Sequence, residues 1–188
     1  MIILIIVAFA VLPSQFEQLA LIYMEKQKRG TSYPRQRAES EKHVVVVSTT
    51  LQPNIIMDFL NEFYAHPMLQ NFYVVLLSPS ELDQNLAMIL QVPLWSQRVI
   101  YIQGSALNNS DLNRAQIEYA EACFLLASRN YHDRQAADQH SILRSWAIKD
   151  YAPNCIQYVH LLKPENKMHV QHASNTILFY FLSINFDF

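Results

Sequence analysis

Residues 43–60, HVVVVSTTLQPNIIMDFL, decide the fold. Four consecutive valines are apolar on both faces, and a β-branched run of that kind belongs in the middle of a parallel sheet covered on both sides. Pro53 then suits the first turn of a helix, and Ile55, Ile56, Phe59, Leu60 and Phe63 recur on one helical face as far as about His66. A strand, a short turn and an amphipathic helix make the opening unit of an α/β domain.

The unit repeats toward the C-terminus. Phe72–Leu77 reads as a second buried strand. Ser80 with Asp83 resembles a helix N-cap and acidic first turn ahead of Leu82, Leu86, Ile89 and Leu90. Pro93 ends that helix and Val99–Ile102 is the third strand. Asn109-Ser110-Asp111 offers a cap for a helix over Leu112–Tyr119, and Ala122–Ala127 is the fourth strand. Gln135–Lys149 is a longer helix, Ile156–Leu162 a fifth strand, and Pro164 opens a last helix. Right-handed crossovers turn this alternation into a doubly wound, Rossmann-like parallel sheet with expected order 3-2-1-4-5.

Upstream the pattern changes. Residues 25–42 hold six basic side chains (Lys26, Lys28, Arg29, Arg35, Arg37, Lys42) against three acidic ones (Glu25, Glu39, Glu41), with Gly30, Ser32 and Pro34 breaking helical periodicity. Residues 1–12, MIILIIVAFAVL, are apolar throughout, yet a membrane span needs about 20 residues. Three readings compete for them: a signal peptide, a buried core helix, or the cytoplasmic end of a membrane helix. The succession from apolar to amphipathic (Phe16, Leu19, Ala20, Tyr23) to basic favours the third, because positive segments stay on the cytoplasmic side. The expected organisation is a partial transmembrane or juxtamembrane helix (1–24), a basic linker (25–42), the α/β lobe (43–172) and an apolar tail (173–188).

Composition narrows the chemistry. The chain has 188 residues, 51% of them hydrophobic, with 14 Lys+Arg against 16 Asp+Glu. That length supports one domain with a sizeable core, and the net charge of −2 argues against a nucleic-acid partner. Two cysteines, Cys123 and Cys155, lie in apolar runs and read as buried thiols. A dinucleotide site needs glycines in the first strand-to-helix turn, and Val47-Ser48-Thr49-Thr50-Leu51-Gln52 has none. Strand two ends Leu77-Ser78-Pro79, without the acidic residue that would take a ribose. No Walker loop, nucleophile elbow or His-Glu-x-x-His helix is present, so no cofactor and no catalytic residues are expected.

Four constellations remain. Asp58 and Glu62 are i, i+4 and share a helix face, an arrangement open to a hard cation such as sodium, although an acidic pair on a plain solvated face is commonplace. His132, Asp133 and Asp138 follow strand four at the ligand edge, although Asp133 also suits an N-cap. His169 and His172, with His160, have a spacing compatible with zinc. Trp95, between Leu94 and Ser96, is either a core anchor or a docking surface.

Longer strings carry a resemblance. Phe59-Leu60-Asn61-Glu62-Phe63-Tyr64-Ala65-His66-Pro67, Val92-Pro93-Leu94-Trp95-Ser96-Gln97-Arg98-Val99-Ile100-Tyr101, Gln103-Gly104-Ser105-Ala106-Leu107 and Leu162-Lys163-Pro164-Glu165-Asn166-Lys167 resemble the cytoplasmic domain of sodium-activated potassium channels of the Slack and Slick type. The resemblance covers about residues 1–172. It implies that 1–24 is the end of a pore-lining inner helix, 25–42 the force-transmitting linker, and the lobe from 43 the N-terminal part of an RCK domain. It further implies a homo- or heterotetrameric gating ring with other channel subunits, membrane attachment through the N-terminal helix, a place at the cytoplasmic face of the plasma membrane, and sodium or another cation as regulator. No Thr-Val-Gly-Tyr-Gly-like filter occurs, so conduction by this chain alone is not expected. After His172 the chain departs from the family pattern, and residues 173–188 are expected to be an unrelated tail rather than a sixth strand. The alternatives are a soluble Rossmann-like ligand-binding or NAD-dependent oxidoreductase domain, and an interaction module that caps other subunits.

Overall fold

A computed structural model describes Phe16 and residues 32–128, 133–171 and 176–179. The elements are α1 (Arg35–Ser40), β1 (His43–Ser48), α2 (Pro53–Ala65), β2 (Tyr73–Ser78), α3 (Gln84–Leu90), α4 (Pro93–Ser96), β3 (Val99–Gln103), α5 (Asn109–Arg114), β4 (Ala122–Leu126), α6 (Arg134–Tyr151), β5 (Ile156–His160), α7 (Lys167–Gln171) and β6 (Thr176–Phe179). Short 3₁₀ turns occupy Pro67–Leu69, Ile117–Tyr119 and Pro164–Asn166.

All pairings are parallel, and the strand order is β3-β2-β1-β4-β5-β6. The expected order of the first five strands holds, and the sheet gains a sixth. Thr176–Phe179 pairs with Gln157–His160, so residues taken from sequence as a divergent tail supply an edge strand. A short apolar segment beside an open parallel edge satisfies its backbone groups by pairing there.

The valine run shows why the sheet is doubly wound. Val44 and Val46 face a core with Ile56, Phe59, Leu60 and Phe63 of α2, Leu86 and Leu90 of α3, and Trp95 of α4. Val45 and Val47 face the opposite core with Tyr33, Ala38, Leu112, Ile142 and Ile148. Every residue of β1 is buried. Alternate side chains point to opposite faces, so both layers are required to hide the run. Trp95 is a core anchor, with its ring 5.6 Å from that of Tyr64.

Several boundaries differ from expectation. Ser80 does not cap α3, which begins at Gln84 after Asp83, because the Ser80 hydroxyl is engaged by Ser78 and by the Leu51 amide. The cap of α5 is Asn108, whose side chain accepts from the Ser110 amide, and the helix gives way to a 3₁₀ turn after Arg114. Part of the basic linker is helical, since α1 starts directly after Pro34 and buries Ala38. Among the described residues no helix is long and apolar enough to cross a membrane. The expected membrane-associated helix, residues 1–24, lies outside the described residues except for Phe16.

Candidate functional site

The two ends of β1 are built differently. At the carboxyl end the strand order reverses between β1 and β4, the place where an open α/β sheet binds its ligand. Here the turn closes on itself. The Ser48 hydroxyl donates to the Thr50 carbonyl at 2.8 Å, and the Thr50 and Ser128 hydroxyls are 2.8 Å apart. The Gln52 amide donates to Ser128 Oγ at 3.3 Å. The Leu51 amide donates to Ser80 Oγ, the Ser78 and Ser80 hydroxyls meet at 2.8 Å, and Tyr101 donates to the Ser80 carbonyl at 2.6 Å. Buried Leu51 fills the turn, and Pro53 removes one backbone donor from the start of α2. A pyrophosphate needs glycine-sized clearance at this place, and residues 47–52 contain no glycine.

At the amino end the linker docks. Tyr33 is 1% exposed, its amide donates to the Arg114 carbonyl at 2.9 Å, and its ring lies 4.8 Å from the His43 imidazole. The guanidinium of Arg35 donates to the Tyr119 hydroxyl at 2.7 Å, and that of Arg37 lies over the Tyr73 ring at 4.6 Å while pairing with Glu41 at 2.9 Å. Cation–π contacts of this kind hold a basic segment against an aromatic surface. Burial pushes the Tyr33 phenol up to about 12, although the nearby Arg37 opposes the shift.

His43 ties the dock to the sheet. Its Nε2 lies 3.1 Å from the Gln116 carbonyl, and Gln116 adopts a left-handed backbone with φ of 53°. Burial lowers the imidazole pKa below its ordinary 6.5, with the Gln116 carbonyl opposing. Arg114 extends the connection, because its guanidinium donates to the Gln103 carbonyl at 3.0 Å and to Asp111 at 2.9 Å. Asp111 also accepts from the Ser105 amide at 3.0 Å. Gly104 is needed beside it, since a Cβ at that position would fall 2.7 Å from the Asp111 carboxyl carbon. Linker, β1, β3 and α5 thus share one network.

The residues singled out from sequence are placed as follows. Asp58 and Glu62 sit on the exposed face of α2, one turn apart. Asp133 caps α6 through the Gln135 amide at 2.8 Å. Asp138 is fully buried and accepts from the Leu162 and Lys163 amides and from Asn166, which makes it a clamp between α6 and the segment after β5. His132 and His172 lie outside the described residues. His160 is buried and His169 is exposed. Among the described residues no group of three or more His, Cys, Asp or Glu is arranged to hold a metal. Cys123 and Cys155 are buried free thiols, and burial pushes Cys155 up to about 12.

Sequence reasoning did not single out Tyr33, His43 or Arg114. The available signals were an aromatic within a basic linker and a histidine at the head of a valine strand. A second feature also emerged only in three dimensions: Leu143 and Trp146 of α6 and Met168 of α7 are 48%, 46% and 70% exposed, with Trp146 Nε1 donating to the His169 carbonyl.

Comparison with known proteins gives these arrangements a context. Residues 39–159 match the model of the calcium-activated potassium channel slowpoke-like RCK domain. Potassium channel subfamily T member 1 of Homo sapiens is 57% identical over 176 residues, and the protein of that name from Mus musculus is 58% identical over the same length. Each alignment covers 94% of this chain and 14% of the relative. Among solved structures, the human SLO3 gating ring aligns with a TM-score of 0.59 at 23% identity, covering 73% of this chain and 24% of that one. The GsuK RCK domain aligns with a TM-score of 0.54 at 12% identity, covering 82% and 30%. These structural likenesses speak for the fold.

Proposed function

The chain belongs to the family of calcium-activated potassium channel slowpoke-like RCK domains, and we propose that it serves as a gating-ring unit of a sodium-activated potassium channel, coupling intracellular cation binding to pore opening. The observation that carries this is the linker dock. Tyr33, midway along the linker, is buried and its amide donates to the Arg114 carbonyl, so displacement of the lobe is delivered to the linker instead of being absorbed in a loose tether. An ion that binds one arrangement of the ring more tightly shifts its population, and a stiff linker transmits the shift.

The exposed Leu143, Trp146 and Met168 surface supports assembly with neighbouring subunits in a tetrameric ring. Large apolar side chains grouped across two helices suit a protein partner. Asp58 and Glu62 remain our candidate pair for the regulatory cation, with further oxygen ligands from water or a neighbouring chain. The corresponding place in the cell is the plasma membrane, with this lobe on the cytoplasmic side. The dinucleotide alternative is disfavoured by the closed turn after β1.

The test is a chimera in which residues 32–171 replace the matching segment of the human relative. A sodium-dependent potassium current in excised patches is the expected result. A chimera that reaches the surface as an intact tetramer but is insensitive to sodium would contradict the proposal.

A further inference from the structure

A groove of about 480 Å³ opens at the amino end of the sheet, where the linker, the entry to β2 and the entry to β3 meet. Its wall brings together Lys42 from the linker end, Asn71 and Phe72 from the approach to β2, and Arg98 from the approach to β3. Its two cations are poorly compensated. The half-buried Arg98 guanidinium lies 5.5 Å over the Tyr64 ring and makes no ion pair or side-chain hydrogen bond among the described residues. Among the described residues Lys42 pairs only with Glu121, at 3.6 Å, with both side chains largely exposed, and lies 5.6 Å from the Phe72 ring. Glu41, the acidic residue in the wall, is already committed to Arg37 at 2.9 Å.

A guanidinium offers five donors in a planar fork, and an ammonium adds a compact charge. Two such groups on separate segments suit an anion with several oxygens better than a single carboxylate. We propose that this groove binds a phosphate-bearing anion, held between Lys42 and Arg98, which fastens the linker end to the entries of β2 and β3. The anion source is either a soluble polyphosphate or a lipid headgroup. Met68, Val92 and Leu94 stand exposed on the segments leading into β2 and β3, which makes the lipid arm worth including.

The test uses the full chain and two probes, tripolyphosphate followed by calorimetry and phosphatidylcholine vesicles doped with phosphatidic acid followed by co-sedimentation. Lys42→Gln and Arg98→Gln are compared with Lys167→Gln, which removes the same charge from exposed α7, and circular dichroism verifies that each variant is folded. Binding weakened about tenfold by either groove variant, and unchanged by Lys167→Gln, is the expected result. Response to tripolyphosphate identifies a soluble ligand, and response to doped vesicles alone identifies a headgroup. Absence of binding to both probes, or equal loss in all three variants, would overturn the proposal.

Discussion

The two ends of β1 lie a single strand apart and have opposite characters. At the carboxyl end Ser48, Thr50, Ser78, Ser80 and Ser128 hydrogen-bond among themselves, in a turn without glycine. At the amino end, groups from the linker, α5 and the turn beyond it converge on His43 and Tyr33. A fold whose relatives elsewhere use the carboxyl edge for nucleotides has here closed that edge and invested its connectivity at the other. Fold alone points to the carboxyl end, whereas the side chains placed on this scaffold concentrate their cross-element contacts at the amino end.

Substitutions at the two ends should therefore differ in size. Tyr33→Ala empties a fully buried aromatic site and is expected to cost about 3–5 kcal/mol in urea unfolding, with linker amides losing protection from hydrogen exchange. Equal destabilisation without any change in linker protection would break the distinction. Gly104→Ala, which forces a Cβ against Asp111, is expected to cost about 1–3 kcal/mol by the same measurement. Ser128→Ala at the closed turn removes hydrogen bonds without emptying a core and should cost about 1 kcal/mol, leaving linker protection unchanged.

Acid should also act at the amino end. The His43 pKa is depressed by burial, so the unfolded chain binds a proton as pH falls through about 6.5 while the folded chain resists it. The His43 contribution is fully present above that value and declines as pH drops toward the lowered folded pKa. Replacing His43 with Phe should flatten this part of the stability profile measured by urea titration. The smallest structural effect belongs to Asp58→Asn with Glu62→Gln. Unfolding stability should change by no more than about 0.5 kcal/mol, while the chimera should need more sodium for half-activation.

Much of the scaffold was legible because its signals are local. The valine run required two covering layers, and the apolar stripe from Ile55 to Phe63 fixed α2 and its face. Helix starts were less legible where a side chain was drawn into tertiary contacts. Ser80 has the form of a cap, but its hydroxyl serves Leu51 and Ser78, so α3 begins later. Pro34 breaks periodicity in the linker, yet the helix following it is held by burial of Tyr33 and Ala38. Thr176–Phe179, with β-branched Thr176 and Ile177 and aromatic Phe179, suits a strand and becomes one beside the open edge of β5.

The dock was the least legible feature. Tyr33 meets His43 and Arg114, Arg35 meets Tyr119, and Arg37 meets Tyr73, all partners drawn from separate elements. No spacing rule joins such residues. Asp138 has the same history: a residue taken for a possible ligand proved to be a clamp because three donors from a distant segment converge on it. Trp95, open from sequence between a core anchor and a docking surface, is settled as an anchor by its contact with the distant Tyr64 ring.

The central claim is that the amino end of the sheet drives the linker. Its most direct test is the open probability of the chimera as a function of internal sodium, recorded with Tyr33→Ala and, separately, with Ser128→Ala. The account predicts a displaced sodium dependence for Tyr33→Ala and an unchanged one for Ser128→Ala. Unchanged gating in Tyr33→Ala, or a displacement carried by Ser128→Ala alone, would contradict it.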